Sequence, residues 1–580
     1  MHDLVIRRAT VVDGTGRERF TADVAVDAGT ITFVGDLAPG VRGKDEIDAS
    51  ELLLTPGFVD VHTHYDGQAT WDPLLSPSCW HGVTTAVMGN CGVGFAPARP
   101  DEHDWLIELM EGVEDIPGTA LAEGLTWEWE SFPEYRDALD RFPRAVDIAA
   151  QVPHGSLRAY VMGQRAVGEA PPTEADIAEM ARLVRESMQA GAIGFSTNRL
   201  PLHRSLDGTP VPGTFAEEQE LLAIVAELGA LGRGIVEIVT AGSMGEDPNG
   251  YERDLALLTR LSIATGRPVT YGLSQINHLP DKWRVALDLT EEAFASGATL
   301  VPQVPARPLG LLLGWSTKHG FTGRPSFDEV AGLPPAERLA KLRDPERRAR
   351  ILAEVSDPPG LGRLLERSWD RIYPLGADDD VQPEYEPMPD TSIEAIAQRE
   401  GRPSEHVAYD LMCESERALL LFTMGGYAHR DHGDIHEMLT HPRTVLGLGD
   451  GGAHCGLICD ASTTTSMLSH WARDRSRGAR IPLELAVRKM TGDTAALYDL
   501  HDRGVIAPGR RADFNVIDFD RLRLRLPESV ADLPAGARRL VQRSEGYVAT
   551  IVAGVPVLRD GDDTGARPGH LIRGPQRAAS

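Results

Sequence analysis

Between residues 57 and 450, short apolar, β-branched runs alternate with amphipathic stretches, and this alternation restricts the fold more than any other feature. Eight strand candidates stand out, at 57–64, 84–91, 146–154, 192–197, 234–240, 269–275, 298–304 and 444–450. Helical periodicity fills most of the intervals, for instance at 173–189, 215–231, 251–265 and 287–295. Such alternation builds a parallel sheet with helices on its faces. Eight units are the count of an α/β TIM (β/α)8 barrel, whose chemistry sits at the carboxyl ends of the strands. A doubly wound sheet is the other arrangement that the pattern allows.

The interval between the seventh and eighth strands is too long for one helix. It reads as an insertion of about 309–400 over the barrel mouth, a lid or an oligomer contact, with Pro374, Pro383 and Pro387 marking a loop. Both chain ends are rich in short strands, at 4–6, 9–12, 22–26 and 30–34 and again at 512–518 and 547–558. Residues 1–55 and 500–580 are therefore predicted to form one small β-sandwich domain beside a barrel of 56–499.

The first strand carries the sharpest chemical signal. In Pro56-Gly57-Phe58-Val59-Asp60-Val61-His62-Thr63-His64 two histidines stand at i and i+2 after a Pro-Gly break. On an extended strand that spacing puts both imidazoles on one side. Side by side at the end of a buried strand, they suit a divalent metal better than a core. An arbitrary pair of this kind is more often two solvated histidines, and the preceding run makes this one specific.

Charge narrows the partners. The chain has 86 acidic against 58 basic residues, a net charge of −28 spread along its length, which disfavours nucleic acid and anionic membrane. Any acidic ligand then needs local arginines, because lysine is confined to Lys44, Lys282, Lys318, Lys341 and Lys489. Five scattered cysteines do not read as a disulfide framework, and the N-terminus lacks a long apolar run, so a cytoplasmic protein is expected.

Further motifs recur along the chain: Gly89-Asn90-Cys91-Gly92-Val93, His154-Gly155-Ser156-Leu157-Arg158, Gly191-Ala192-Ile193-Gly194-Phe195-Ser196-Thr197, Gly449-Asp450-Gly451-Gly452-Ala453-His454 and Arg503-Gly504-Val505-Ile506-Ala507-Pro508-Gly509. With the histidine pair, they make the chain resemble the amidohydrolase superfamily, and the Gly-Asn-Cys segment resembles its D-aminoacylase (N-acyl-D-amino-acid deacylase) branch. The resemblance implies a zinc-dependent hydrolase that cleaves the amide bond of an N-acyl amino acid, of D configuration, or of a similar amide. It implies His62, His64, Cys91 and Asp450 as metal ligands, with Asp450 also the catalytic proton shuttle. Read alone, Asp450 is a turn residue in an Asp-Gly sequence and Cys91 a buried structural cysteine.

The lysine that bridges two metals in many superfamily members is missing, since none lies between Lys44 and Lys282. The fifth and sixth strands also lack the histidines of the D-aminoacylase pattern. Glu237 and His278 are the nearest substitute or second-metal ligands, beside plain roles as a packed carboxylate and a helix-cap or surface histidine. One zinc ion, with a second site weak or rebuilt, is the resulting expectation. Arg199 and Arg307, near the barrel mouth, are candidate substrate-carboxylate binders, and surface ion pairing is the alternative for each. His154 and His454 are candidates for orienting ligands or substrate. The same chemistry also serves deamination and cyclic-amide or ester hydrolysis, and a barrel without its metal would be an inactive scaffold. The partner is a small-molecule amide, with a homo-oligomer allowed.

Overall fold

The computed structural model describes the chain apart from residues 168–169, 357–360, 366, 380 and 579–580. Eight parallel strands follow one another in space in chain order: Phe58–Asp60, Val83–Met88, Asp147–Pro153, Gly194–Asn198, Ile235–Val239, Val269–Gly272, Leu300–Val304 and Val445–Leu446. Nearly all their side chains are buried, as expected for strands covered on both faces. This is the expected (β/α)8 barrel.

Helices between the strands begin and end on recognisable signals. Thr173 caps Glu174–Ala190 by accepting the Asp176 amide, while the Asp176 carboxylate accepts the Thr173 amide at 2.8 Å. Gly191, at φ 113°, then turns the chain into the fourth strand. Met180, Val184 and Met188 face the barrel from that helix.

No ladder joins the eighth strand to the first. A parallel bridge between Thr63 and Gly451 closes the ring instead. The His64 amide donates to the Gly451 carbonyl at 2.8 Å, and the Asp450 amide donates to the His62 carbonyl at 3.1 Å. The first strand is shorter than its apolar run suggests. Beyond Asp60, whose carboxylate accepts the His62 amide at 3.2 Å, the chain leaves the regular ladder.

Between the seventh and eighth strands lies a three-stranded antiparallel sheet, Gly310–Leu313, Leu419–Thr423 and Ile372–Gly376. Helices pack on it around a separate apolar core that includes Trp315, Phe321, Phe327 and Tyr409. The two chain ends share one mixed sheet of nine strands, with a core of its own that includes Leu4, Val24, Leu54, Phe514 and Ile551. Asp147, buried at the start of the third barrel strand, ties that unit to the barrel. It accepts Arg503 Nη1 at 2.6 Å and Arg511 Nη2 at 3.0 Å.

Candidate metal centre

Gly57 lets the first strand lie close to the second, because a Cβ there would collide with the Thr84 side chain. Asn90 then fixes the end of the second strand against the first, donating to the Thr63 and Val87 carbonyls at 3.0 Å each. Cys91 follows in the left-handed region at φ 57°, with its amide donating to Glu237 Oε2 at 2.8 Å. Asp450 and His454 are also left-handed, at φ 46° and 53°. Three such non-glycine residues around one point mark a backbone held in a strained form by its surroundings.

The structure brings His62, His64, Cys91 and Asp450 together. Cys91 Sγ lies 3.3 Å from His62 Nε2 and 3.8 Å from His64 Nε2. Asp450 Oδ1 lies 3.5 Å and 3.8 Å from the same two nitrogens. Donors at roughly 2.0–2.3 Å from a tetrahedral ion stand about 3.5 Å apart, and these four separations are near that value, with His62, His64 and Cys91 the mutually closest set.

Hydrogen bonding fixes which nitrogen of His62 is free. Thr270 Oγ1 donates to the Val301 carbonyl at 2.7 Å, so it accepts from Gln303 Nε2 at 3.1 Å. Gln303 Oε1 therefore faces His62 Nδ1, at 2.8 Å, and that nitrogen carries the hydrogen. His62 Nε2 is left as a lone pair aimed at the cluster. Glu114 Oε1 lies 3.4 Å from His64 Nδ1, within ion-pair reach but not hydrogen-bonded to it.

The electrostatics call for a cation. Burial pushes His62 down to about 4 and the Cys91 thiol well above its ordinary range. Burial also lowers His64, but Glu114 and Asp450 outweigh it and hold His64 up to about 9. Desolvation raises Asp60 to about 7, Asp66 to about 6 and Glu237 to about 8. Desolvation opposes ionisation of Asp450 too, yet the histidines keep its carboxyl well below the usual range. A divalent ion held here would take the place of the Cys91 and His64 protons and offset this acidic surround.

The other sequence candidates fall outside the cluster, with two exceptions. His454 lines the cleft above it, with Nε2 3.9 Å from Glu114 Oε2. Glu237 is adjacent, but one oxygen holds the Cys91 amide and the other has no hydrogen-bond partner. His278 is exposed and sits beside the Gly245 carbonyl, at 3.3 Å. His154 is enclosed between Thr197 Oγ1 at 2.8 Å and Glu220 Oε1 at 3.1 Å.

Neither arginine reaches the cleft as a free fork. Arg199 holds Asp254 at 3.0 Å and the Ala216 carbonyl at 3.0 Å. Arg307 is 3% exposed and holds Asp460 and Ser462 at 2.9 Å each, with the Cys459 carbonyl and the Tyr385 ring completing its shell. Neither lines the cleft, and Asp254 and Asp460 already claim them.

Sequence reasoning passed over Glu114, Gln303 and His203. Gln303 had a signal, a lone amide in the apolar strand Leu300–Val304. Glu114 had none, as it ends the helix His103–Glu114 and reaches His64 only through the fold. Elsewhere, Glu386, His432 and His470 also converge, but Arg475 already grips both Glu386 oxygens at 3.1 and 3.2 Å. That group is an ion-paired strap across the insertion.

Residues 45–558 match the amidohydrolase family. An uncharacterized protein of Mycobacterium tuberculosis is 28% identical over 97% of this chain and 92% of its own length. The D-aminoacylase of Alcaligenes xylosoxydans xylosoxydans is 28% identical over 98% of this chain and 97% of its own, and an N-acyl-D-aspartate deacylase from that organism is 27% identical over 98% and 95%. A solved D-aminoacylase structure, in which the role of a binuclear metal centre was studied, superposes with a TM-score of 0.65 at 25% identity, covering 99% of this chain and 100% of that one.

Proposed function

The chain belongs to the amidohydrolase family, and from that premise we propose that it hydrolyses the carbon–nitrogen bond of a linear amide with one zinc ion held by His62, His64, Cys91 and Asp450. The observation that carries this reading is the convergence of two imidazole nitrogens, with the Cys91 thiol 3.3 and 3.8 Å from them on one side and the Asp450 carboxylate 3.5 and 3.8 Å from them on the other. Nitrogen and sulfur donors with a carboxylate suit zinc rather than magnesium or calcium. Bound there, zinc supplies Lewis acidity toward water and toward the amide carbonyl.

The chain supplies the rest. Gln303 holds the His62 imidazole in the orientation that points Nε2 inward, and Glu114 stands within ion-pair reach of His64. Asp450 takes a proton from the attacking water and returns it to the leaving nitrogen. The hydroxyl joins the carbonyl carbon as the C–N bond breaks, and the products are a carboxylic acid and an amine. Relatives that cleave N-acyl-D-amino acids support the linear-amide reading, as does the missing bridging lysine.

The test strips the protein with a chelator, restores zinc in steps and follows carboxylate release from a panel of N-acyl amines and N-acyl-D- and L-amino acids. Activity should rise with the first equivalent and vanish in a folded Asp450→Asn variant. Turnover by metal-free protein, or none with any amide after reloading, sinks the proposal. Two tightly held ions per chain would sink its single-ion part.

A further inference from the structure

Resting on the amide-hydrolase reading, we propose that the substrate's amine half is uncharged and apolar: a neutral N-acyl amine is taken in preference to an N-acyl amino acid with a free carboxylate. The cleft above the four donors has a volume of about 310 Å³. Its wall is largely hydrophobic, with Leu200, Val239, Met244, Met424, Leu448 and Ile458 among the lining residues. At the lip Leu202 stands 57% exposed, an apolar contact waiting at the entrance. The two methionines give this wall an adaptable surface for aliphatic or aromatic groups.

Carboxyl groups, rather than lysine or arginine, line the cleft beside its histidines. Glu114, Asp450 and Asp460 all line it, and among the described residues no lysine or arginine does. Arg307 stands behind Asp460 with its donors engaged by Asp460, Ser462 and the Cys459 carbonyl. Arg199 is paired with Asp254, outside the lining. Of the cleft histidines, burial drives His203 down to about 3, so it stays neutral, and His454 faces Glu114. A carboxylate entering here would be desolvated beside carboxylates with no arginine or lysine to receive it. An amine carrying hydrogen or alkyl in that position loses nothing on entry and gains the hydrophobic wall.

The experiment compares matched pairs on the zinc-loaded full-length protein. N-acetyl-D-leucine and N-acetyl-L-leucine are set against N-isopentylacetamide, the same molecule with hydrogen in place of the carboxylate, and acetate release is followed. In parallel, calorimetry compares the hydrolysis-resistant N-isopentylmethanesulfonamide with N-methylsulfonyl-leucine of each hand. The expected result is at least about 100-fold higher kcat/KM, and at least about 100-fold tighter binding, for the neutral member. Equal or better use of either acid, or equal or tighter binding of either anionic sulfonamide, overturns the proposal. Tighter binding of the neutral sulfonamide without turnover of any amide keeps this proposal and sinks the hydrolase reading instead.

Discussion

Replacing Gln303 by leucine should weaken zinc binding without touching a metal donor. Gln303 is fully buried, and its Oε1 accepts the His62 Nδ1 hydrogen at 2.8 Å. When His62 Nε2 binds an ion, the ring's only hydrogen must sit on Nδ1, and leucine leaves that hydrogen unpaired in an apolar pocket. An orphaned buried donor costs about 1–3 kcal/mol. In metal-free protein the hydrogen can move to Nε2, so the penalty falls on the loaded state alone. The loss at Thr270, which accepts from Gln303 at 3.1 Å, is common to both states and cancels. The dissociation constant should therefore rise roughly 5- to 150-fold, a tenfold change being about 1.4 kcal/mol. Competition against a chromophoric chelator measures it, with circular dichroism confirming the fold. Gln303→Glu keeps an acceptor facing Nδ1 and should bind zinc at least as tightly as wild type. The reasoning fails if Gln303→Leu binds like wild type, or if Gln303→Glu loses as much as Gln303→Leu.

Other substitutions test other links. Asp450→Asn, assayed at saturating zinc, should lower kcat by roughly 10²–10⁴-fold, the range for loss of a proton-transfer group. Arg503→Met leaves the buried Asp147 carboxylate short of its main partner and should cost about 3–5 kcal/mol in a denaturant titration. Burial alone would raise Asp147, but Arg503, His570 and Arg511 hold it below its ordinary 3.8. A depressed carboxyl contributes its full stability above the unfolded value and loses it as pH falls. Wild-type melting temperatures should thus drop below about pH 4, with a flatter profile in Arg503→Met. Gly57→Ala places a methyl on the Thr84 side chain and should cost about 1–3 kcal/mol, part of which Thr84→Ala recovers in the double variant.

What could be read in the chain followed from local pattern. Strand–helix alternation is a short-range signal, and each of the eight predicted runs overlaps a barrel strand. His62 and His64 announce themselves because period two places both on one side of one segment. Cys91 and Asp450 became legible only through longer motifs, since a lone cysteine or an Asp-Gly turn has blander uses. The arginines show the limit. Position at a strand end suggested the mouth for Arg199 and Arg307, but what they hold depends on Asp254 and Asp460, acids far off in sequence. Glu114 was invisible for the same reason, because its role exists only once the fold brings the end of its helix to His64.

The ring closes through the peptide units that aim the donors, so the ion and the barrel share a fastening. His62 and His64 leave the first strand, Asp450 leaves the eighth, and among the described residues the Thr63–Gly451 bridge, with its two backbone hydrogen bonds, spans the gap. A zinc ion held there would be a clasp across a seam, joining segments from opposite ends of the barrel sequence. Ligand present at 100 times its dissociation constant stabilises a fold by about 2.7 kcal/mol. At this seam that stabilisation acts on the slowest kind of contact to form, one of very long sequence separation. Metal loading then reports that the last strand has found the first, and the protein acquires its chemistry at the moment its architecture is complete.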